Sequence, residues 1–259
     1  ETVYVSKGYT LGGLWNGWGG QITRFQVVAR GPNGGIVFTG GHPTGGKFQD
    51  GNGKFDQVAI VGPAYISLSR IDPADPHPYS FFSLPDAVTQ TKEQNGWLAL
   101  RAGDAWLAVR PVGGAMKVGQ MELSAKDAEK GVRAPRIIRF EGRNTGFILE
   151  TADAERFATI DLFLGSLAQT SLDDSKYDRD GAIRYRTAAG KTVDMTHQPD
   201  GDRAKVAIDG RIVDFDDSWG VYSGPCITQK DGVFSVNDGH EGFVVDFTGD
   251  LPVYKPWRR

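Results

Sequence analysis

Short strand-like runs separated by turn residues constrain the fold of this sequence more than any other feature. The runs are rich in β-branched and aromatic side chains, and Gly, Pro, Asn and Asp stand between them. The 259 residues include 35 glycines and 13 prolines, which favours many turns over long helices. Strands alternating with helices, as a parallel sheet requires, are missing. We therefore predict an all-β fold, a large antiparallel β-sandwich of the supersandwich type.

The predicted strands run through most of the sequence. In chain order they are Thr2–Lys7, Gln21–Arg30, Ile36–Thr39, Gln57–Val61, Tyr65–Arg70, Trp97–Arg101, Ala105–Arg110, Arg136–Arg143, Gly146–Glu150, Ala182–Thr187, Lys191–Met195, Lys205–Ile208, Arg211–Val213, Cys226–Gln229, Val233–Val236 and Phe243–Phe247.

The strongest local pattern is a hairpin at residues 97–110. Gly103 and Asp104 form a two-residue loop in which glycine supplies the positive φ of a type II′ turn. The cross-strand pairs predicted from this loop are Leu98 with Val109, Leu100 with Leu107, Trp97 with Arg110, and Arg101 with Trp106. Each indole would then lie beside a guanidinium group.

One short helix is predicted after Asp153, which is a suitable N-cap residue. Its apolar stripe consists of Phe157, Ile160, Leu164 and Leu167. The polar stretch that follows, Thr170–Gly181, is predicted to be a surface loop.

Charge and composition argue against several classes of binding partner and of structural feature. The formal charge of −3, from 29 basic and 32 acidic residues, provides no basic surface for nucleic acid or an anionic membrane. No apolar run is long enough to span a bilayer. The single cysteine, Cys226, excludes an intrachain disulfide and a cysteine-rich metal site, and we predict that it is buried and inert.

A glycine-rich segment near the start carries the residues that we predict to bind substrate. Trp15 and Trp18 stand among five glycines, and exposed indoles are good stacking surfaces for sugar rings. Gln21 and Arg24 follow, and the guanidinium group suits a carboxylate. The alternative is that both indoles close the end of the sandwich.

Two further residues are predicted to be catalytic. His42 stands between a strand and a glycine-rich loop, where it can exchange a proton near neutral pH; the alternative is a turn-capping residue. Tyr79 ends the proline-rich segment 72–79, which also contains His77. The alternative for this segment is a rigid surface connection.

No cofactor and no metal ion are predicted. The four histidines, at positions 42, 77, 197 and 240, show no metal-ligand spacing. Calcium binding at Asp200 and Asp202, or at Asp214, Asp216 and Asp217, remains an alternative to simple solvated loops. A nucleophile elbow, a P-loop and a dinucleotide-binding motif are absent from the sequence.

Several segments resemble the β-sandwich domains of heparinase II/III-like polysaccharide lyases, in which the sandwich follows an α/α toroid. The resemblance rests on the segment NGWLALRAGDAWLAVR at Asn95–Arg110, on Gly19–Arg30, on Phe38–Pro43, on Phe147–Gln169, on Ser223–Pro225 and on the closing strands Val233–Val236 and Phe243–Phe247.

This resemblance implies that residues 1–259 form a single β-sandwich domain, the C-terminal part of a larger carbohydrate-active protein. The toroid, which carries part of the substrate cleft in such enzymes, is not in this sequence, so a helical domain or a second chain is an expected partner. A histidine or tyrosine of the β-domain can be catalytic in such enzymes, which favours His42 and Tyr79. The chain would belong to an exported bacterial protein, periplasmic or extracellular.

We therefore predict a component of a polysaccharide-degrading enzyme that acts by elimination on a uronate-containing polysaccharide or oligosaccharide. Gln21 or Arg24 would neutralise the substrate carboxylate, and His42 or Tyr79 would remove the adjacent proton. One alternative is a non-catalytic binding module that stacks sugars on Trp15, Trp18 and Trp106. Another is a structural domain that supports a toroid through an exposed patch of Phe81, Phe82 and Leu84.

Overall fold

The computed structural model describes residues 2–13, 25–43, 55–123, 125–199, 203–214, 226–249 and 251–258. Its strands form four antiparallel sheets, which confirms the predicted all-β sandwich-like fold. The first thirteen strands are β1 Thr2–Val5, β2 Tyr9–Gly13, β3 Phe25–Gly31, β4 Gly34–Gly41, β5 Asp56–Val61, β6 Ala64–Arg70, β7 Tyr79–Ser83, β8 Val88–Gln94, β9 Trp97–Ala102, β10 Ala105–Val112, β11 Met116–Gln120, β12 Arg136–Glu141 and β13 Asn144–Asp153.

The remaining strands are β14 Ser171–Asp173, β15 Ala182–Arg186, β16 Thr192–Thr196, β17 Lys205–Ile208, β18 Arg211–Ile212, β19 Ile227–Lys230, β20 Val233–Asn237, β21 Glu241–Asp246 and β22 Val253–Arg258. The helices are α1 Ala125–Glu129, α2 Ile160–Ser166 and α3 Tyr177–Asp180, with 3₁₀ turns at Ala154–Arg156 and Leu167–Gln169.

The sheets differ in size and in strand order. A seven-stranded sheet has the order β1-β2-β3-β4-β7-β12-β11, and a six-stranded sheet has the order β5-β6-β13-β10-β9-β8. A five-stranded sheet, β14 to β18, and a four-stranded sheet, β19 to β22, each follow chain order. The pairing of β4 with β7 joins segments distant in sequence, and this pairing positions the candidate site described below.

The six-stranded sheet is a middle layer because both of its faces are buried. Successive side chains of a strand point to opposite faces. Leu98 and Leu100 therefore pack with residues of the seven-stranded sheet, such as Phe25. On the other face Trp97 packs in a second core with α2 and the five-stranded sheet. Near-continuous apolar runs such as Ala105–Val109 are explained by this double burial.

The hairpin predicted at residues 97–110 is confirmed in register. Leu98 pairs with Val109, Leu100 with Leu107, and Arg101 with Trp106. The guanidinium carbon of Arg101 lies 4.7 Å from the centroid of the Trp106 ring, and that of Arg110 lies 5.4 Å from the Trp97 ring. Both guanidinium groups therefore lie beside indoles, as the turn chemistry predicts.

Substituting Gly103 with alanine is expected to destabilise the fold more than the same change at Gly96. Both glycines have positive φ, +51° and +76°, so alanine costs about 1–2 kcal/mol of backbone strain at either site. A Cβ at Gly103 would also lie 2.0 Å from the carbonyl oxygen of Arg30, whereas a Cβ at Gly96 meets open space. Urea unfolding should show the larger loss for Gly103→Ala, and equal losses would contradict this packing of the hairpin tip.

The predicted helix is present but begins later than expected. Helix α2 spans Ile160–Ser166 and is capped by Thr159, whose side chain accepts a hydrogen bond from the backbone N–H of Leu162. Asp153 is not its cap, because its carboxylate accepts hydrogen bonds from the Ser6 hydroxyl (2.5 Å) and the Gly8 backbone N–H (2.7 Å). A carboxylate already engaged across the fold satisfies distant donors instead of a local helix end.

Other differences from the prediction concern polar or short elements. The predicted strands that fall within the described residues are present, with ends that differ by a few residues. Strands β2, β7, β8, β11, β14 and β22 were not predicted. The predicted loop Thr170–Gly181 contains a strand, β14, and a short helix, α3, whose Tyr177 hydroxyl donates to the carbonyl oxygens of Ser69 and Thr145. In the described ranges, the helices are all too short or too polar to cross a membrane.

Candidate functional site

The structure describes two of the six residues predicted to form the site. His42 and Tyr79 lie within it, whereas Trp15, Trp18, Gln21 and Arg24 lie outside the described residues. The indole of Trp106, the third predicted sugar platform, is buried at 1% exposure. It stacks on Phe163 with ring centroids 5.9 Å apart, and its Nε1 donates to the carbonyl oxygen of Phe157. Trp106 is therefore a core residue, and its role in sugar stacking was predicted wrongly.

The predicted apolar docking patch is also wrong. Phe81, Phe82 and Leu84 are buried, with exposed fractions of 2% or less. Strand β7 lies between β4 and β12 in the seven-stranded sheet, so its side chains enter cores on both faces.

His42 is held just beyond the end of β4. Strand β4 pairs with β7 through Gly40 and Phe82 and through Gly41 and Phe81, which brings residue 42 next to the segment that precedes β7. The backbone N–H of His42 donates to Oδ2 of Asp56, at 2.5 Å. Its side chain is almost completely buried, and the ring lies edge-on to Phe55 with centroids 5.1 Å apart.

The segment before β7 is folded by two aspartates and one arginine. Asp72 Oδ1 accepts the backbone N–H of Ala74, and Asp75 Oδ1 accepts that of His77, at 2.9 Å. Such side-chain to backbone bonds are the usual turn-forming contacts of Asp. Nη1 of Arg143 donates to the carbonyl oxygens of Asp72 and Asp75. The proline-rich segment is thus a fixed loop that lies next to His42.

The Asp75 carboxylate lies between the imidazole rings of His42 and His77. Nε2 of His42 lies 3.2 Å from Oδ1 of Asp75 and 3.1 Å from the carbonyl oxygen of His77. Both neighbours are acceptors, so Nε2 carries the ring proton. Nδ1 of His42 is buried and has no hydrogen-bond partner among the described residues. Nδ1 of His77 lies 3.6 Å from the same Asp75 oxygen.

Tyr79 adjoins these groups at the start of β7 and is not a loop residue. Its ring centroid lies 6.2 Å from that of His77. The guanidinium carbon of Arg139 lies 3.8 Å from the centroid of the Tyr79 ring. Arg139 is held by Glu122 and Glu141, at 3.3 and 3.5 Å. We call His42, Asp75, His77 and Tyr79 the histidine cluster.

The members of the histidine cluster differ in accessibility and charge. His42 and Tyr79 are buried, whereas the side chains of Asp75 and His77 are each 20% exposed. Partial burial acts to raise the pKa of Asp75, but the His77 backbone N–H and both imidazoles outweigh it, so that this pKa lies below its usual value. Burial raises the pKa of Tyr79, and Arg139 offsets part of this effect. Asp75 is therefore ionised and Tyr79 protonated at neutral pH.

Sequence reasoning missed Asp75 and gave no catalytic role to His77. The signal was an Asp two residues before a His in a proline-rich segment, which favours an Asx-type turn. The proximity of residues 42 and 75 depends on the β4–β7 pairing, which connects distant parts of the chain. His240, by contrast, lies at the turn between β20 and β21, away from these residues.

Neither the calcium alternative nor Cys226 provides a second candidate site among the described residues. Among the described residues, no three His, Cys, Asp or Glu side chains are arranged to hold a metal ion. Of the aspartates considered for calcium, only Asp214 lies within the described ranges. Cys226 is buried, as predicted, and burial raises the pKa of its thiol.

A polar cavity lies near the tip of the 97–110 hairpin. Its volume is about 440 Å³, and its wall contains three cationic side chains and four carboxylates. Lys7 and Glu155 form an ion pair of 3.1 Å across one side. The mixed charge gives this cavity no single-sign field that would attract a polyanion.

Glu150 is a buried carboxyl outside the histidine cluster and lines a cavity of about 100 Å³. Its Oε1 accepts hydrogen bonds from the Tyr185 hydroxyl, at 2.7 Å, and the Ala188 backbone N–H, at 2.9 Å. Burial raises the pKa of Glu150 to about 7, and the two hydrogen bonds only partly offset this effect. The native state therefore keeps Glu150 protonated at pH values well above 4.5, the ordinary pKa of its carboxyl group.

This proton makes stability depend on pH. Between about pH 4.5 and pH 7 the unfolded chain is ionised at Glu150 while the native chain is not, so the free energy of unfolding falls as pH rises, by about 2–4 kcal/mol. The Glu150→Gln variant should lose this dependence, because the amide keeps both hydrogen bonds and does not ionise. Urea unfolding across this range tests the effect, with Glu93→Gln at an exposed site as the control. An unchanged pH dependence in Glu150→Gln would contradict it.

Comparison of the chain with protein-family models, with curated proteins and with solved structures gives no match.

Proposed function

We propose that this chain is the β-sandwich portion of a polysaccharide-degrading enzyme that cleaves a uronate-containing glycan by β-elimination. The observation that supports the proposal is the placement of Asp75 between the imidazoles of His42 and His77, beside Tyr79. An ionised carboxylate that orients an accessible imidazole is a common arrangement for proton transfer.

Elimination at a uronate requires three groups. One neutralises the sugar carboxylate and so acidifies the neighbouring C5–H, a second accepts that proton, and a third protonates the leaving oxygen. The C5–H electrons form the C4=C5 double bond as the C4–O bond breaks. The products are a new reducing end and an unsaturated uronate, and no water is added.

His77 is the proton acceptor in this proposal. Its side chain is partly exposed, and Asp75 lies on its Nδ1 side, which leaves Nε2 to meet the substrate. The Asp75 carboxylate stabilises the imidazolium that forms. His42 is a positioning residue, because its protonated Nε2 fixes both the Asp75 carboxylate and the His77 carbonyl group.

Tyr79 is proposed as the proton donor to the leaving oxygen, a role that requires its buried phenol to become accessible when the substrate binds. Its raised pKa keeps the phenol protonated at neutral pH, which is the state that a proton donor requires. The Arg139 guanidinium over its ring stabilises negative charge on the phenol oxygen during transfer.

Substrate binding remains assigned by the sequence alone. Gln21 and Arg24 are proposed to neutralise the uronate carboxylate, and Trp15 and Trp18 to stack on neighbouring sugar rings. A helical toroid domain or second chain is proposed to lengthen the cleft, while the groups assigned to the elimination all lie in this chain. Action on an external polymer and the scarcity of cysteine support a periplasmic or extracellular location.

A polymer panel tests the proposal. The chain is incubated with polygalacturonate, alginate, hyaluronate and the neutral polymer dextran, and the absorbance of the unsaturated uronate is followed. We expect product from at least one acidic polymer and none from dextran. Polymer binding without cleavage would instead support the binding-module alternative, and neither binding nor cleavage would support a structural domain.

A further inference from the structure

The two Arg–Trp stacks of the 97–110 hairpin differ in one respect. Nε of Arg101, beside Trp106, donates to the carbonyl oxygen of Gly103 at 2.8 Å. Nε of Arg110, beside Trp97, is buried and has no hydrogen-bond partner among the described residues. Nε of Arg110 is therefore engaged by no acceptor of the described residues, unlike Nε of Arg101.

Arg110 lines a cavity of about 200 Å³ between the hairpin and the end of helix α2. The other lining residues are Gln94, Asn95, Trp97, Leu164, Leu167, Ala168 and Thr170. Two carboxamides, one hydroxyl and an aromatic ring thus surround one guanidinium group, and the wall contains no carboxylate. In the described part of the chain, no acidic side chain forms an ion pair with Arg110.

These features specify the chemistry of a ligand. A guanidinium group binds carboxylates through paired N–H donors, and neighbouring amide groups add hydrogen bonds. The indole of Trp97 and both leucines of the helix side are nearly completely buried, so a ligand meets mainly the polar groups of the wall. The volume lies below the roughly 300–1,000 Å³ typical of sites for drug-sized ligands, so the ligand is small.

We propose that the Arg110 cavity binds a small carboxylate, either a free organic acid or a single uronate residue. The carboxylate meets the Nη1 and Nη2 edge of the Arg110 guanidinium group, in the cavity that this side chain lines. The site stands on different residues from the histidine cluster, and it does not depend on the proposed elimination activity.

Titration of the whole chain with sodium glucuronate tests this proposal, with intrinsic tryptophan fluorescence and calorimetry as readouts. We expect saturable binding of glucuronate and none of glucose, which has the same ring without the carboxylate. Acetate serves as the third ligand. Tighter binding of glucuronate than of acetate identifies a uronate residue as the ligand, and equal binding identifies a simple carboxylate.

Three variants test whether glucuronate binds in the Arg110 cavity. Arg110→Gln should weaken glucuronate binding by about 10–100-fold, since a charge-assisted pair is lost. Gln94→Ala, at the end of an exposed edge strand, preserves the core and should weaken binding several-fold. Arg101→Gln removes the matched stack, whose guanidinium group is already hydrogen-bonded, and should leave affinity unchanged. Absence of glucuronate binding, equal binding of glucose, or full affinity in both Arg110→Gln and Gln94→Ala would overturn the proposal.

Discussion

Replacing His77 with alanine is expected to lower the rate of uronate elimination by about 10²–10⁴-fold, the usual contribution of a general base. His77 is the accessible imidazole of the histidine cluster, and it is not itself a member of the buried apolar cores of the described residues. The chain should therefore remain folded, and the loss should appear in kcat. Initial rates from the absorbance of the unsaturated product measure it.

Two variants accompany this measurement. Asp75→Asn keeps an oxygen that accepts the His77 backbone N–H but removes the negative charge, so kcat should fall while KM stays unchanged. His240→Ala removes an exposed histidine outside the cluster and should leave the rate unchanged. Equal rates for the wild type and His77→Ala would remove His77 from the mechanism.

Replacing Phe147 with alanine is expected to destabilise the chain by about 3–5 kcal/mol. Phe147 is completely buried in the core between the seven-stranded and six-stranded sheets. Its ring lies 5.0 Å from that of Phe140, and 5.6 to 5.9 Å from those of Tyr65, Phe25 and Phe82. The substitution therefore opens a cavity where four aromatic rings meet, and neighbouring side chains can fill it only in part.

Phe247→Ala provides a matched control for this prediction. Phe247 is 56% exposed, and its truncation should change the free energy of unfolding by no more than about 0.5 kcal/mol. Urea unfolding of both variants measures the difference. Similar losses at positions 147 and 247 would contradict the assignment of this core.

Local patterns explain why much of the fold could be predicted from the sequence. The hairpin at residues 97–110 follows from a glycine in a two-residue turn and from the period of two in its strands, both of which act between near neighbours. The polar strands β8 and β11 were missed because they are sheet edges, where few side chains need to be apolar. The start of α2 was misplaced because Asp153 bonds across the fold to Ser6 and Gly8.

The candidate site could be predicted only in part. His42 was identified because a histidine between a strand and a glycine-rich loop is locally visible. The role of Asp75 depends on the pairing of β4 with β7, and no local signal reports a contact between residues 42 and 75. The burial of Trp106 likewise depends on α2 covering the second face of the six-stranded sheet, which a single strand pattern does not reveal.

The chemical structure of the products tests the proposed function most directly. Mass spectrometry and NMR of a digested uronate polymer determine whether the new non-reducing end carries a C4=C5 double bond. We predict this double bond in the products of the wild-type chain and none in an incubation with His77→Ala. Products that have gained water, or an intact polymer after incubation with the folded wild-type chain, would contradict elimination by the histidine cluster.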